Sequence, residues 1–349
     1  MTVLNIEAAR AADAWPALPY HIESAGPAGS RRPLPEHALC EFRFEPPGAD
    51  ADPRRIAIDL EPLPGADAGD LWRSALPVRH GWDGDIGYSE NGEVLVMQLR
   101  LDEPALADME EAVYRAYVRL NAFVAARGYP ELWRIWHYLG AINEGEGDAE
   151  RYRQFCIGRY RAVADAADFE ARLPAATAIG TRGGGLSIIV LAGKRPGLQV
   201  ENPRQVSAFR YPRPYGLRSP SFSRATLLPC ADGARLLVSG TASIVGHATA
   251  FAGDPAAQLG QIASNLQALL AHAAQTRLPG RDAREFTADS YIVYLRHAED
   301  LPRVQQALLQ HFSDAPLRVV IGDICRRELL IEVEAAYRMP VAQGQFGAV

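Results

Sequence analysis

The strongest constraint on this chain lies near its C-terminus, from Arg318 to Tyr337, where RVVIGDIC is followed by RRE and then LLIEVEAAY. Two apolar, β-rich runs separated by a short polar break predict an antiparallel hairpin. Period-2 alternation in the second run places Leu329, Ile331, Val333 and Ala335 on one face and Leu330, Glu332 and Glu334 on the other. The first face is core. The second carries two carboxylates among apolar neighbours, which suits a strand closing a polar pocket and makes Glu332 the candidate proton-handling residue. A solvated sheet face would read the same way.

A chain of 349 residues is long for a single core, so two domains are expected behind an N-terminal arm: 1–35 as the arm, 36–200 and 201–349 as the units. The arm is rich in Ala, Pro and Gly, and its prolines interrupt any regular element. The net charge of −6 provides no global field for nucleic acid or an anionic membrane, and no apolar run approaches a membrane span. A small anionic ligand therefore needs local arginines. The cysteines Cys40, Cys156, Cys230 and Cys325 form no CxxC pair and no His-flanked spacing, so neither a metal site nor a disulfide framework is expected. A soluble protein of a reducing cytoplasm fits.

In the first half, strands are expected at Cys40–Phe44, Ile56–Leu60, Gly92–Leu101, Leu132–Ile142 and Leu186–Leu191, with helices over 107–127 and about 148–167. The glycine stretch 180–185 is followed by a strand rather than a helix, so it reads as a loop and not a phosphate cradle. The second half opens with an arginine- and tyrosine-rich run, Asn202 to Leu228, better suited to a small-anion pocket than to nucleic acid in an acidic protein. A hairpin around Asp232 and Gly233 follows, with Gly240 in mid-strand where a ligand or backbone must come close. Asp254 and Pro255 start a helix, and a strand at Tyr291–Leu295 and a helix at Pro302–Phe312 precede the terminal hairpin. The fold class is α+β: mixed sheets, each with helices on one face, their other faces meeting around a pocket that both halves line.

The segments SFSRATLL, RLLVSGTASIVGH and LLIEVEA resemble the RidA (YjgF) fold, whose members pair a strand ending in SG with a C-terminal IEIEA strand. Together with RYRQFCIGRYRA, FRYPRPYGLRSPSFSRA and the spacing from Cys325 to Glu332, the pattern resembles the chorismatases over roughly residues 35 to 340. That resemblance implies two RidA-like units, with chorismate as substrate and release of pyruvate from its enolpyruvyl ether. Glu332 falls on the family's catalytic glutamate, a general acid whose burial among apolar neighbours would hold its proton near neutral pH. Chorismate is a dianion, so Arg159 and Arg224 are the expected carboxylate partners, with Tyr152 a turn or two from Arg159 and Tyr211 in the basic run.

Gly240 with Cys325 matches the small-plus-cysteine pair of members that make 3-hydroxybenzoate, some relatives releasing 4-hydroxybenzoate too. Cys325, ahead of Arg326 and Arg327, is expected to have a lowered pKa and to touch the ring, or else simply to pack. Neither cofactor nor metal is implied. The competing readings are a chorismatase hydrolysing chorismate to a dihydroxycyclohexadiene carboxylate, a RidA-type imine or enamine hydrolase, and a small-anion-binding module without turnover. A monomer is expected, with a trimer as the alternative that the simple RidA fold would build.

Overall fold

The computed structural model describes residues 20–26, 32–48, 51–63, 69–166, 168–230 and 233–340. Most of the arm and Asp232 of the expected turn lie outside these residues. The chain begins with β1 (Tyr20–Ser24), β2 (Ala38–Phe44), β3 (Arg55–Ile58), β4 (Glu61–Pro62) and β5 (Gly69–Ser74). Of these, β1, β5, β2 and β3 form a four-stranded sheet in that spatial order.

Next come β6 (Arg79–Asp83), β7 (Ile86–Glu90), β8 (Val94–Leu101), α1 (Met109–Ala126), β9 (Glu131–Gly140), α2 (Arg151–Val163), β10 (Ala175–Thr181) and β11 (Leu186–Gly193). The rest comprises β12 (Leu198–Val200), β13 (Ala225–Cys230), β14 (Gly233–Ala242), the small β15 (Ile244–Val245) and β16 (Ala248–Thr249), and α3 (Pro255–Arg277). It ends with β17 (Thr287–Leu295), α4 (Leu301–His311), β18 (Leu317–Ile321), β19 (Asp323–Ile324) and β20 (Ile331–Pro340).

Two seven-stranded mixed sheets carry the fold, ordered β19-β10-β9-β11-β8-β7-β6 and β12-β13-β14-β20-β17-β18-β4. Their inner orders repeat one plan. A hairpin is followed by a helix, a strand, a second helix and a parallel strand beyond it, and the last strand then inserts antiparallel into the middle. This is the α+β architecture of two similar units. Helix starts follow their caps: Asp108 accepts from Glu111 N at 3.1 Å, and Asp254 accepts from Ala256 N and Ala257 N with Pro255 behind it.

The terminal hairpin does not form. β17 lies between β18 and β20, so the two runs that flank RRE never pair. After β18 the chain instead crosses to the other sheet, where β19 pairs antiparallel with β10, and only then returns as β20 between β14 and β17. Alternation is a local property and fixed the faces of β20 correctly; pairing is decided by which distant edges are open. The slot left between β14 and β17 captures β20.

Helices α1 and α2 bury their apolar stripes on the outer face of the first sheet around Val113, Leu120 and Phe155, and α3 and α4 do the same on the second around Ile262, Leu266 and Val304. The inner faces enclose a third core. The four-stranded sheet plugs one end of it, with Trp72 stacked on Tyr20 at 4.6 Å and packed with Phe42 against Trp136. Beside β10 lies a cavity lined by α2 as well as by residues of β10, β14 and β20. No helix among the described residues is long and apolar enough to cross a membrane.

Candidate active site

The cavity has a volume of about 470 Å³ and is lined from both halves of the chain. All seven residues singled out from sequence reach it: Tyr152 and Arg159 from α2, Tyr211 from the arginine-rich loop, Arg224 from the entry to β13, Gly240 from β14, Cys325 from the crossing segment, and Glu332 from β20.

Glu332 is 4% exposed. Burial, and then the charge of Glu334, push its carboxyl up to about 8, against the opposing pull of Arg134 and Arg224. Gly240 makes its position possible. A Cβ there would lie 1.9 Å from Glu332 Oε1, so only a residue without a side chain leaves room for the carboxyl. The register slips between Val238 and Thr241, a bulge that directs the Gly240 N–H to Thr177 Oγ1 on the opposite sheet at 2.9 Å.

Glu334, two residues on, faces the same way but is saturated. It accepts from Arg134 Nη2, Trp136 Nε1 and Thr177 Oγ1, each at 2.9 Å, and from Tyr294 OH at 3.0 Å. Four donors hold it as the anion of a buried ion pair that spans the two sheets.

Arg159, Arg224 and Arg326 line the cavity, each with a guanidinium nitrogen that has no partner among the described residues. Most of the loop's guanidiniums are spent on structure: Arg210 on Glu170, Arg213 on Asp148, Arg204 on Asn265. Arg224 is 5% exposed and donates through Nη2 to Val206 O and to Tyr211 OH, both at 2.8 Å, while its Nε has no partner among the described residues. Arg159 is 3% exposed, lies 5.3 Å over the Tyr117 ring, and also has an unpartnered Nε. Leaving buried guanidinium donors unmet costs several kcal/mol unless an anion meets them, on the order of 1–3 per donor. The cavity therefore presents buried guanidinium donors that suit a small anion.

The expectation of a low-pKa thiol is corrected here. The Cys325 thiol is pushed up to about 12, first by burial and then by Glu332, and the neighbouring Arg326 and Arg296 do not offset this. Arg326 turns away, over the Tyr215 ring at 3.9 Å, with Nη1 on His247 O at 2.9 Å. Cys325 is thus a neutral, polarisable wall.

Sequence reading missed Arg134, Thr177 and His137. A lone arginine inside the aromatic run LWRIWHYLG was the available signal for Arg134, because a charge in a buried strand demands a partner. His137 is held neutral by burial and by Arg159; its Nδ1 meets Thr177 O at 2.9 Å and its Nε2 meets Tyr117 OH. Among the described residues no three His, Cys, Asp or Glu side chains gather as a metal site.

Comparison with known proteins places relatives around this geometry. Residues 70–192 match the family model described as chorismatase FkbO/Hyg5-like, N-terminal. A 3-hydroxybenzoate synthase of Streptomyces hygroscopicus is 34% identical over 305 residues, 85% of this chain and 88% of that protein. A chorismatase of the same organism is 36% identical over 272 residues, 76% of this chain and 78% of its own. A chorismatase crystal structure superposes with a TM-score of 0.81 at 29% identity, covering 91% of this chain and 98% of that one.

Proposed function

Because this chain belongs to the chorismatase family, we propose that it converts chorismate to 3-hydroxybenzoate and pyruvate, with Glu332 as the general acid. The observation that carries this is the meeting, in one cavity, of a carboxyl that burial pushes up to about 8 with two buried arginines, each with an Nε that has no partner among the described residues. Arg159 and Arg224 take the two carboxylates of the substrate, flanked by Tyr152 and Tyr211. Glu332 gives its proton to the vinyl methylene of the enolpyruvyl group, and the resulting oxocarbenium withdraws electrons from the ether bond to the ring. That bond breaks with the ether oxygen leaving as the keto oxygen of pyruvate; the ring hydroxyl oxygen shifts to the carbon so freed and the ring gives a proton back to the Glu332 carboxylate, which leaves 3-hydroxybenzoate, whereas proton loss without the shift leaves 4-hydroxybenzoate. The atoms of chorismate equal those of hydroxybenzoate plus pyruvate, so this route consumes no water; the dihydro-diol route takes up one.

Gly240 and Cys325 shape the ring's end of the pocket, and 4-hydroxybenzoate is the second aromatic product to be assayed. No cofactor or metal takes part in this scheme. The protein works as a cytoplasmic monomer.

Incubation with chorismate, with pyruvate assayed enzymatically and the acids separated by chromatography, tests the reading. Wild-type protein releases both products, and Glu332→Gln lowers pyruvate release by about 10²–10⁴ with KM little changed and all products falling together. Since the acid must be protonated, kcat/KM is highest below the raised pKa and is lost as pH rises through about 8. Cys325→Ala changes the ratio of acids more than it lowers pyruvate. A wild-type protein that binds chorismate but forms no pyruvate, or a fully active Glu332→Gln, removes the assignment.

A further inference from the structure

We propose that the buried Arg134–Glu334 pair is the positioning device for Glu332, fixing both where that carboxyl sits and which protonation state it holds. The proposal rests on the reading of Glu332 as the acid. Its grounds are geometric. Glu334 stands two residues from Glu332 on the same face of β20 and draws donors from β9, β10 and β17. One of those donors, Thr177 Oγ1, also accepts the Gly240 N–H at 2.9 Å, and Gly240 is the residue whose missing Cβ leaves space for Glu332. The pair is thereby linked to the acid twice: along the strand, and through Thr177 and the bulge.

The electrostatics follow from the same arrangement. Arg134, Arg224, Glu334, Cys325 and Tyr152 face Glu332, with Arg159 across the cavity. Burial holds Cys325 and Tyr152 neutral, so the charges that act on Glu332 are those of Glu334, Arg134 and Arg224. At Glu332 the charges of Glu334 and Arg134 act in opposite senses, Glu334 the more strongly. Removing Glu334's charge uncovers Arg134 and favours the ionised form of Glu332, while removing Arg134's charge does the reverse. Residues two apart on a strand are separated by roughly 6–7 Å. At an effective dielectric constant of about 20, a unit charge at that distance moves a titration by roughly 1–2 pH units.

Two readouts test this in the full-length protein: the pH profile of pyruvate release from chorismate, and the infrared band of the protonated carboxyl that disappears in Glu332→Gln, followed against pH without substrate. Glu334→Gln should shift both midpoints down by roughly 1–2 pH units, Arg134→Gln should shift them up, and the double variant should return close to wild type. A purely structural pair would lower thermal stability in each variant and leave the midpoints unmoved, which overturns the proposal. If Glu334→Gln fails to fold, Arg134→Gln decides alone, because its shift has the opposite sign. If wild-type protein forms no pyruvate, the assigned reaction fails while the infrared titration still decides the electrostatic role.

Discussion

A methyl group on Gly240 and the Glu332 carboxyl in its present rotamer exclude each other, since the two would be 1.9 Å apart. Gly240→Ala should therefore displace the acid by the better part of an ångström and lower kcat by about 10²-fold, with KM changed less. The overpacking itself should cost about 1–3 kcal/mol, read as a lowered denaturation midpoint. Unaltered turnover in this variant would show that Glu332 acts from another rotamer. At this scale the sequence was most legible: mid-strand glycine, alternating glutamates and an arginine-rich loop each pointed at residues that the fold brings to one cavity. What it could not convey was environment. Cys325 next to two arginines reads as an activated thiol, yet Arg326 spends itself on Tyr215 and on the hairpin of β15 and β16, and burial governs the sulfur.

The crossing segment between β18 and β20 is held chiefly by Arg296, just past β17. Its guanidinium donates to the carbonyls of Leu329, Ile324 and Arg326 at 2.7–2.9 Å and pairs with Asp323. Asn143 adds bonds to Asp323 and to Ile324 O. Arg296→Met removes its bonds to three carbonyls and a carboxylate, and should cost about 2–4 kcal/mol, measured as a fall in urea midpoint at constant slope. Because Cys325 rides on this segment, the ratio of aromatic acids should change as well. A midpoint within about 0.5 kcal/mol of wild type would mean that β19, Asn143 and the bonds of Gln258, Arg326 and Arg327 suffice to hold the segment. The helices and most strands of this region were readable from periodicity and caps, but the crossing was not, because nothing within residues 318–337 records that β17 and β10 offer free edges.

The two sheets are interlocked by exchange of short strands: β4 from the first half pairs with β18, and β19 from the second pairs with β10. The cavity belongs to neither half alone, taking Tyr152, Arg159 and Thr177 from one and Arg224, Gly240, Cys325 and Glu332 from the other. A site complete within one chain predicts a specific activity that does not change on dilution from micromolar to nanomolar protein. Activity that falls on dilution would show that neighbouring copies finish the pocket. The net charge of −6 says nothing of this interior, where a few buried guanidiniums outweigh the average.

The insertion of β20 between β14 and β17 also sets a timetable for the ribosome. Strands are made in chain order, and the one that occupies the middle of the second sheet is the last to be made among the described residues. Until residues 331–340 leave the exit tunnel, β14 and β17 each present an unpaired edge, and the nascent chain exposes two sticky borders instead of a finished sheet. Glu332 arrives on that same strand. Synthesis thus delivers Arg159 and Arg224 first and Glu332 last, and premature termination before β20 should yield a polypeptide prone to aggregate.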